Sequence, residues 1–332
     1  MFIAEYIKKM RDIQQLLLEY LENDDSDEQY SQNLDKIKDF ELNLNEHDLK
    51  LFLHLISQIS TNHHRCNNFL DKIETIIKIY EEDIKKYFSN FSIFNIFRSN
   101  KRILLFLFKE KIIIPDDLIY GMITSKKYAR RNYPEYFFHE FKSFYPQNYI
   151  KKLLSENPDL DDQNYKSYEE KRKIGENDSY ICELIRNDSI KEFIIYVNKK
   201  NLYLSSIISP SIYETNPLFL KNEASIIEYA AFFGSIQIFN YLRMNNVELT
   251  ENLWIPTIHS QNAELIHLLE ENQVKPIRYK NYGECCSYQC CVPKFIKNSK
   301  DCIYESIKCH HIEIMNYLKS NLSNETNDSN FK

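Results

Sequence analysis

Apolar residues recur every three or four positions along the first half of the chain. Ile3, Ile7, Met10, Ile13, Leu17 and Leu21 form one stripe, the spacing that lines one face of an α-helix. The acidic stretch Glu22 to Glu28 ends it as a solvated loop. Leu49, Phe52, Leu53, Ile56 and Ile59 form a second stripe, and Phe69, Ile73, Ile76, Ile77, Tyr80 and Ile84 a third. Ile93, Phe94 and Phe97 begin a short helix. A polar turn at Arg98-Ser99-Asn100 leads into the apolar run Ile103 to Phe108, and Pro115 stops that helix with Asp116 and Asp117 as caps for the next. Ile and Tyr favour strands by propensity, but the spacing overrides propensity here. The fold expected is all-α, with residues 1–155 an N-terminal helical region, either a bundle or divergent repeats. Residues 156–178 are polar, charged and without periodicity, and read as a linker or as a long loop inside one continuous array.

The second half contains blocks that repeat one another. The clearest runs from Ser225 through Ala230-Ala231 and Gly234 to Ile236, Phe239, Tyr241 and Leu242. It resembles an ankyrin repeat: Ser225 stands at the capping Thr, Ile227 at the buried Leu, and Ala230 and Ala231 at the paired small residues. Gly234 falls in the turn between the two helices, and the second-helix stripe follows. Weaker copies lie at 188–197, 253–269 and 304–318, with Ile190, Ala263 and Ile312 equivalent to Ile236. Long inserts fall near 202–224 and 275–300. The family's Pro and His in the capping tetrapeptide are Ile226 and Glu228 here, the Gly that ends the second helix is Asn246 and then Asn272, and Pro256 lies inside a first helix. The chain is similar to an ankyrin-like domain family expanded in some parasitic protists. That resemblance implies an α-solenoid of helical hairpins over 179–322, a Cys-rich insert at 275–300, a disordered tail at 323–332, and an interaction protein without catalytic residues.

Composition narrows the classes. Four Gly in 332 residues are too few for a Rossmann domain, a P-loop enzyme or a turn-rich β-sandwich. The longest apolar run, Ile103 to Phe108, is far below the roughly 20 residues that span a bilayer, and charges interrupt the N-terminal apolar residues where a signal peptide needs an unbroken core. The expectation is an intracellular, cytoplasmic protein that uses neither membrane nor nucleic acid. A net charge of −6 fits that, since nucleic-acid binding calls for a clustered basic surface, and the basic run Lys126 to Arg131 reads as a solvated face.

Candidate chemistry is confined to His and Cys. Six of the eight Cys, namely Cys285, Cys286, Cys290, Cys291, Cys302 and Cys309, lie within 25 residues and are followed by His310 and His311. Zinc through four of them is one reading. Reduced free thiols and redox regulation are the others, and the expectation carried forward is no metal and no cofactor. His311 aligns with the family's His after the turn Gly, which orders that turn through hydrogen bonds. His63 and His64 are a second cluster, but adjacent histidines on a helix or strand point apart, so they read as an exposed loop or helix start. His139-Glu140 has no second His at helical spacing, and Gly-Lys-Ser/Thr and Gly-x-Ser-x-Gly motifs are missing. Trp254 occupies the position of buried Ile227 and reads as core. The expected role is a non-enzymatic adaptor or scaffold for a protein partner that the sequence does not name. The alternatives are a zinc-binding adaptor using the Cys-rich insert and an enzyme with a site between the two halves.

Overall fold

The apolar stripes are helical in the computed structural model, which describes residues 2–23, 28–39, 45–65, 68–221, 223–275 and 299–324. Among these residues there are 22 α-helices and no strand, so the chain is all-helical. An isolated antiparallel bridge joins Ile207 to Ser225. The chain forms two units. The first comprises Met1–Thr61, Arg65–Glu176 and Thr215–Pro217, and the second comprises Asn62–His64, Asn177–Glu214 and Leu218–Lys332.

In the first unit the opening stripe is the helix Phe2–Glu22, which buries Ile13, Leu17 and Leu21. The second stripe is the helix Glu46–Asn62. The third is two helices, Phe69–Ile79 and Glu81–Tyr87, because Tyr80 leaves helical geometry. Its hydroxyl donates to the Ile37 carbonyl at 2.7 Å, and its ring meets Phe52 edge-on at 5.0 Å. Two polar residues mark helix starts as their chemistry demands. The Asn100 side chain accepts from the Arg102 and Ile103 amides at the head of Lys101–Lys109, and Asp116 accepts from Ile119 at the head of Asp117–Ile123. The basic run at 126–131 includes the short helix Lys126–Ala129, which turns Tyr128 inward and leaves Lys126, Lys127 and Arg130 exposed.

The stretch 156–178 corrects the expectation of a linker or exposed loop. Two 3₁₀ turns, Pro158–Leu160 and Asp162–Asn164, lead into the helix Tyr165–Ile174. That helix buries Tyr168 and Arg172 in the first unit. Its inward face is built from an aromatic ring and a guanidinium rather than aliphatic residues, so the apolar periodicity that reveals a helix is missing.

The second unit contains four helix–turn–helix pairs: Tyr180–Arg186 with Ile190–Lys200, Ile226–Phe233 with Ile236–Met244, Trp254–Ser260 with Ala263–Glu271, and Ser299–Lys308 with Ile312–Asn324. One turn geometry recurs in all four. Asp188, Gly234, Gln261 and His310 each take a left-handed backbone, with φ of 45°, 67°, 55° and 63°. Each stands two residues before Ile190, Ile236, Ala263 or Ile312. In three pairs the next residue's amide reaches five residues back, from Ser189 to Leu184, Ser235 to Ala230 and His311 to Ser306, at 2.8–3.0 Å. The second helices also end alike: Asn201, Asn246 and Gln273 are left-handed. Leu202, Val247 and Val274 then donate to Val197, Leu242 and Leu269, which is the Schellman closure. In the third pair the left-handed residue is thus Gln273 and not Asn272, which is the helix cap with a negative φ.

Local details explain the tolerated departures. Ser225 and Glu228 form a capping box, with Ser225 N donating to Glu228 Oε2 at 2.7 Å, so a carboxylate closes the helix start. Pro256 is the third residue of a seven-residue helix, within the first turn, where no amide has an intrahelical acceptor to lose. Trp254 is buried, and its Nε1 donates to the Val274 carbonyl at 2.8 Å. A Cβ at Gly234 would lie 3.5 Å from Asn262 Nδ2, an ordinary contact, so any cost of a side chain there is a backbone cost. Gly234→Ala is expected to lose about 1 kcal/mol, and Gly234→Asn less, since Asn visits the left-handed region readily. Urea unfolding followed by Trp254 emission measures both.

Candidate functional site

Histidines gather in the second unit around the turn of the fourth pair. The helix Glu46–Asn62 stops just before His63, and residues 62–64 belong to the second unit. Because the backbone leaves helical geometry there, the adjacent rings of His63 and His64 converge instead of diverging, with centroids 4.3 Å apart. This corrects the expectation that they point apart in an exposed loop. His63 is 3% exposed. The ring of His311 lies 5.5 Å from each of them, and the ring of His310 lies 6.2 Å from His63. One ring nitrogen from each of His63, His64 and His311 lies within 4.8 Å of the other two.

Backbone carbonyls set the tautomers. His63 Nδ1 lies 3.0 Å from the Cys309 carbonyl, and His311 Nδ1 lies 2.8 Å from the Ile258 carbonyl. A carbonyl only accepts, so both Nδ1 atoms carry a proton, and in the neutral ring the lone pair then sits on Nε2. His311 is 2% exposed, and its Nε2 has no hydrogen-bond partner. The His310 Nδ1 is also buried without one. Burial first, and the nearby His63 second, hold the His311 ring down to about 3 and the His310 ring to about 4. Both are neutral imidazoles at pH 7.

Behind them lies a second cluster. His259 Nε2 is 2.8 Å from Glu305 Oε1, and His259 Nδ1 is 3.5 Å from Cys309 Sγ, all three residues being buried. The order Cys–His–Glu is that of a nucleophilic triad. Burial, reinforced by the Glu305 charge, pushes the Cys309 thiol well above its ordinary range, so it stays protonated and reaches no substrate. One ligand atom from each of the three lies within 4.8 Å of the others, but a thiol that stays protonated is a poor metal ligand, since the thiolate is the form that binds. Burial acts to raise the Glu305 carboxyl, but His259 and Lys308 outweigh it and hold the group at about 2. Glu305 is therefore a carboxylate with its charge already matched.

The Cys cluster expected from the sequence is only partly within the described residues. Cys285, Cys286, Cys290 and Cys291 lie outside them. Cys302 and Cys309 are free thiols buried in the fourth pair, as Cys182 is in the first. Cys302 joins neither metal-competent group among the described residues. In the first unit a surface depression of about 430 Å³ is lined by Arg65, Asp71, Lys173 and Glu176 among others, but Arg65 is bound to Glu176 and, at 3.0 Å, to Thr215 Oγ1. Spacing alone could not reveal the histidine cluster, since His63 and Cys309 are 246 positions apart. Among the described residues no helix is long and apolar enough to cross a membrane. No protein-family model, curated protein or solved structure matches the chain.

Proposed function

We propose that the chain is a protein-interaction module acting by surface complementarity rather than catalysis, with its second unit an α-solenoid of four degenerate ankyrin-like repeats. The observation that supports this most is the recurrence of one left-handed turn at Asp188, Gly234, Gln261 and His310. A further recurrence supports stacking. Ser235 Oγ donates to the Ile185 carbonyl at 2.6 Å and His311 Nδ1 to the Ile258 carbonyl. In each case the acceptor stands three residues before the preceding pair's left-handed residue. One helical pair cannot bury its own apolar face, but stacked pairs bury one another's and leave a continuous surface for a partner. The module works inside the cell, where its cysteines remain thiols.

The connection 202–224 is the recognition element in this reading. It closes on itself, since Ile208 donates to the Ala224 carbonyl at 2.8 Å and Ile226 to the Ser206 carbonyl at 3.0 Å. Near its base Tyr203 is 82% exposed and Ile207 58%. Apolar side chains held outward on a tied loop suit a protein partner that presents an apolar patch. The double variant Tyr203→Glu/Ile207→Glu is expected to lose the protein that the wild type captures stoichiometrically from native lysate, with an unchanged thermal midpoint. Equal capture by both would sink the loop assignment, and no stoichiometric capture by wild type would sink the interaction reading.

A further inference from the structure

We propose that His63, His64 and His311 form a binding site for a divalent transition metal of the zinc type. The inference is independent of the interaction reading and of the Cys-rich segment.

Three observations carry it. One nitrogen from each ring already lies within 4.8 Å of the others. Tetrahedral zinc, with Zn–N near 2.0–2.1 Å, sets neighbouring ligand nitrogens roughly 3.4 Å apart, so the rings need close by at most about 1.4 Å, within reach of side-chain rotation. Second, two of the three rings donate Nδ1–H to a backbone carbonyl, His63 to Cys309 and His311 to Ile258. That outer contact fixes ring orientation and tautomer for metal-binding histidines and frees Nε2 to ligate. Third, the His311 Nε2 is buried and without a hydrogen bond. A buried acceptor left unsatisfied costs free energy, and no protein donor approaches it, whereas a cation shared with its two neighbours would satisfy it.

The chemistry favours zinc over harder ions. Neutral imidazole is the ligand of zinc, copper and nickel, while calcium and magnesium take oxygen ligands. His64 is half-buried and marks the side from which an ion enters. The fourth position falls to water. Such an ion would join the segment 62–64 to the turn at 310–311 by metal bonds.

The test uses the full-length, untagged chain stripped with a chelator, reloaded with zinc and desalted, then analysed for metal. One zinc per chain is expected. His64→Gln is expected to lose it while the metal-free thermal midpoint stays that of metal-free wild type, and His63→Gln is expected to lose it too, at some cost in metal-free stability because its buried Nδ1–H bonds the Cys309 carbonyl. The fourfold variant Cys285→Ser/Cys286→Ser/Cys290→Ser/Cys291→Ser is expected to keep it. Cobalt in the same site should show the visible absorption of a tetrahedral ion without a sulfur-to-metal charge-transfer band. It should also shift the imidazole proton resonances of three histidines in the wild-type protein, a readout that needs no variant to fold. Less than stoichiometric zinc in wild type overturns the proposal. So does zinc that survives both His variants, or zinc lost in the fourfold Cys variant together with a thiolate band, which would place the ion in the Cys-rich segment.

Discussion

Arg172→Ala is expected to destabilise the first unit by about 3–5 kcal/mol, the cost of breaking a buried ion pair from one side. The Arg172 side chain is 0% exposed. One guanidinium nitrogen donates at 2.8 Å both to Glu140 Oε2 and to the Tyr136 carbonyl, and the group also pairs with Glu169. The Tyr168 ring lies 4.4 Å from the guanidinium carbon and the Tyr136 ring 5.7 Å. Truncation leaves the mostly buried Glu140 without this cation and Glu169 with Lys109 alone, and it removes the partner of two aromatic faces. Arg172→Lys is no conservative rescue, because an ammonium cannot span the same acceptors or stack between rings. Arg172→Met keeps the stem's packing but not the charge. Adding Glu140→Gln to Arg172→Met should therefore recover part of the loss, with a coupling energy of about 1 kcal/mol or more between the two positions. Hydrogen exchange of the amides in Tyr165–Ile174 measures this locally. Protection should fall by about a hundredfold or more in Arg172→Ala, since each 1.4 kcal/mol is a factor of ten. Unchanged protection would mean that the ion pair adds nothing beyond its own desolvation cost.

The same helix shows where sequence reading stops. Stripes such as Leu49 to Ile59 announce their helices because aliphatic side chains at helical spacing have no other use for a face. Tyr165–Ile174 packs an Arg and a Tyr inward, and its charges look like those of a solvated loop until Glu140 and Glu169 are seen to face Arg172. The four inter-helix turns were legible in register, since Ile190, Ile236, Ala263 and Ile312 all follow a left-handed residue by two positions. Their geometry was not, because only Gly234 carries the residue that advertises such a backbone. Asp188, Gln261 and His310 hold it with a Cβ, at a strain that the surrounding hydrogen bonds offset. Asp188 shows how: its two carboxylate oxygens accept from the Gln237 and Ile238 amides, both at 3.0 Å. The histidine cluster was hidden for a different reason. Rules for neighbouring residues assume a regular backbone, and His63 lies one residue past a helix end, where those rules lapse. Its third member is supplied by tertiary contact alone.

Ala230→Asp is expected to cost the second unit several kcal/mol. Ala230 is 0% exposed in the helix Ile226–Phe233 and belongs to one apolar cluster with Ile185, Phe239, Trp254 and Ile258. Its carbonyl already accepts from Ser235 at 3.0 Å, and the indole N–H of Trp254 in that cluster is already given to the Val274 carbonyl. The group must then be buried unpaired or take up a proton, and both are costly. The two routes separate by pH. Burial raises the folded-state pKa of such a carboxyl above the unfolded value near 3.9. Between those two values the folded form binds the extra proton, so the variant loses stability relative to wild type as pH rises. The deficit should accordingly be larger at pH 7 than at pH 4. Ala230→Gly serves as the control, with a pH-independent cost of about 1 kcal/mol from helix propensity. Trp254 is the chain's single tryptophan and lies in the same cluster, so its emission during urea unfolding reports this unit directly. If Ala230→Asp unfolds at the wild-type urea concentration, the small residue is not a packing requirement and the stacked-pair architecture loses its main energetic argument. If it unfolds early and more so at neutral pH, the apolar cluster around Ala230 depends on a small side chain there.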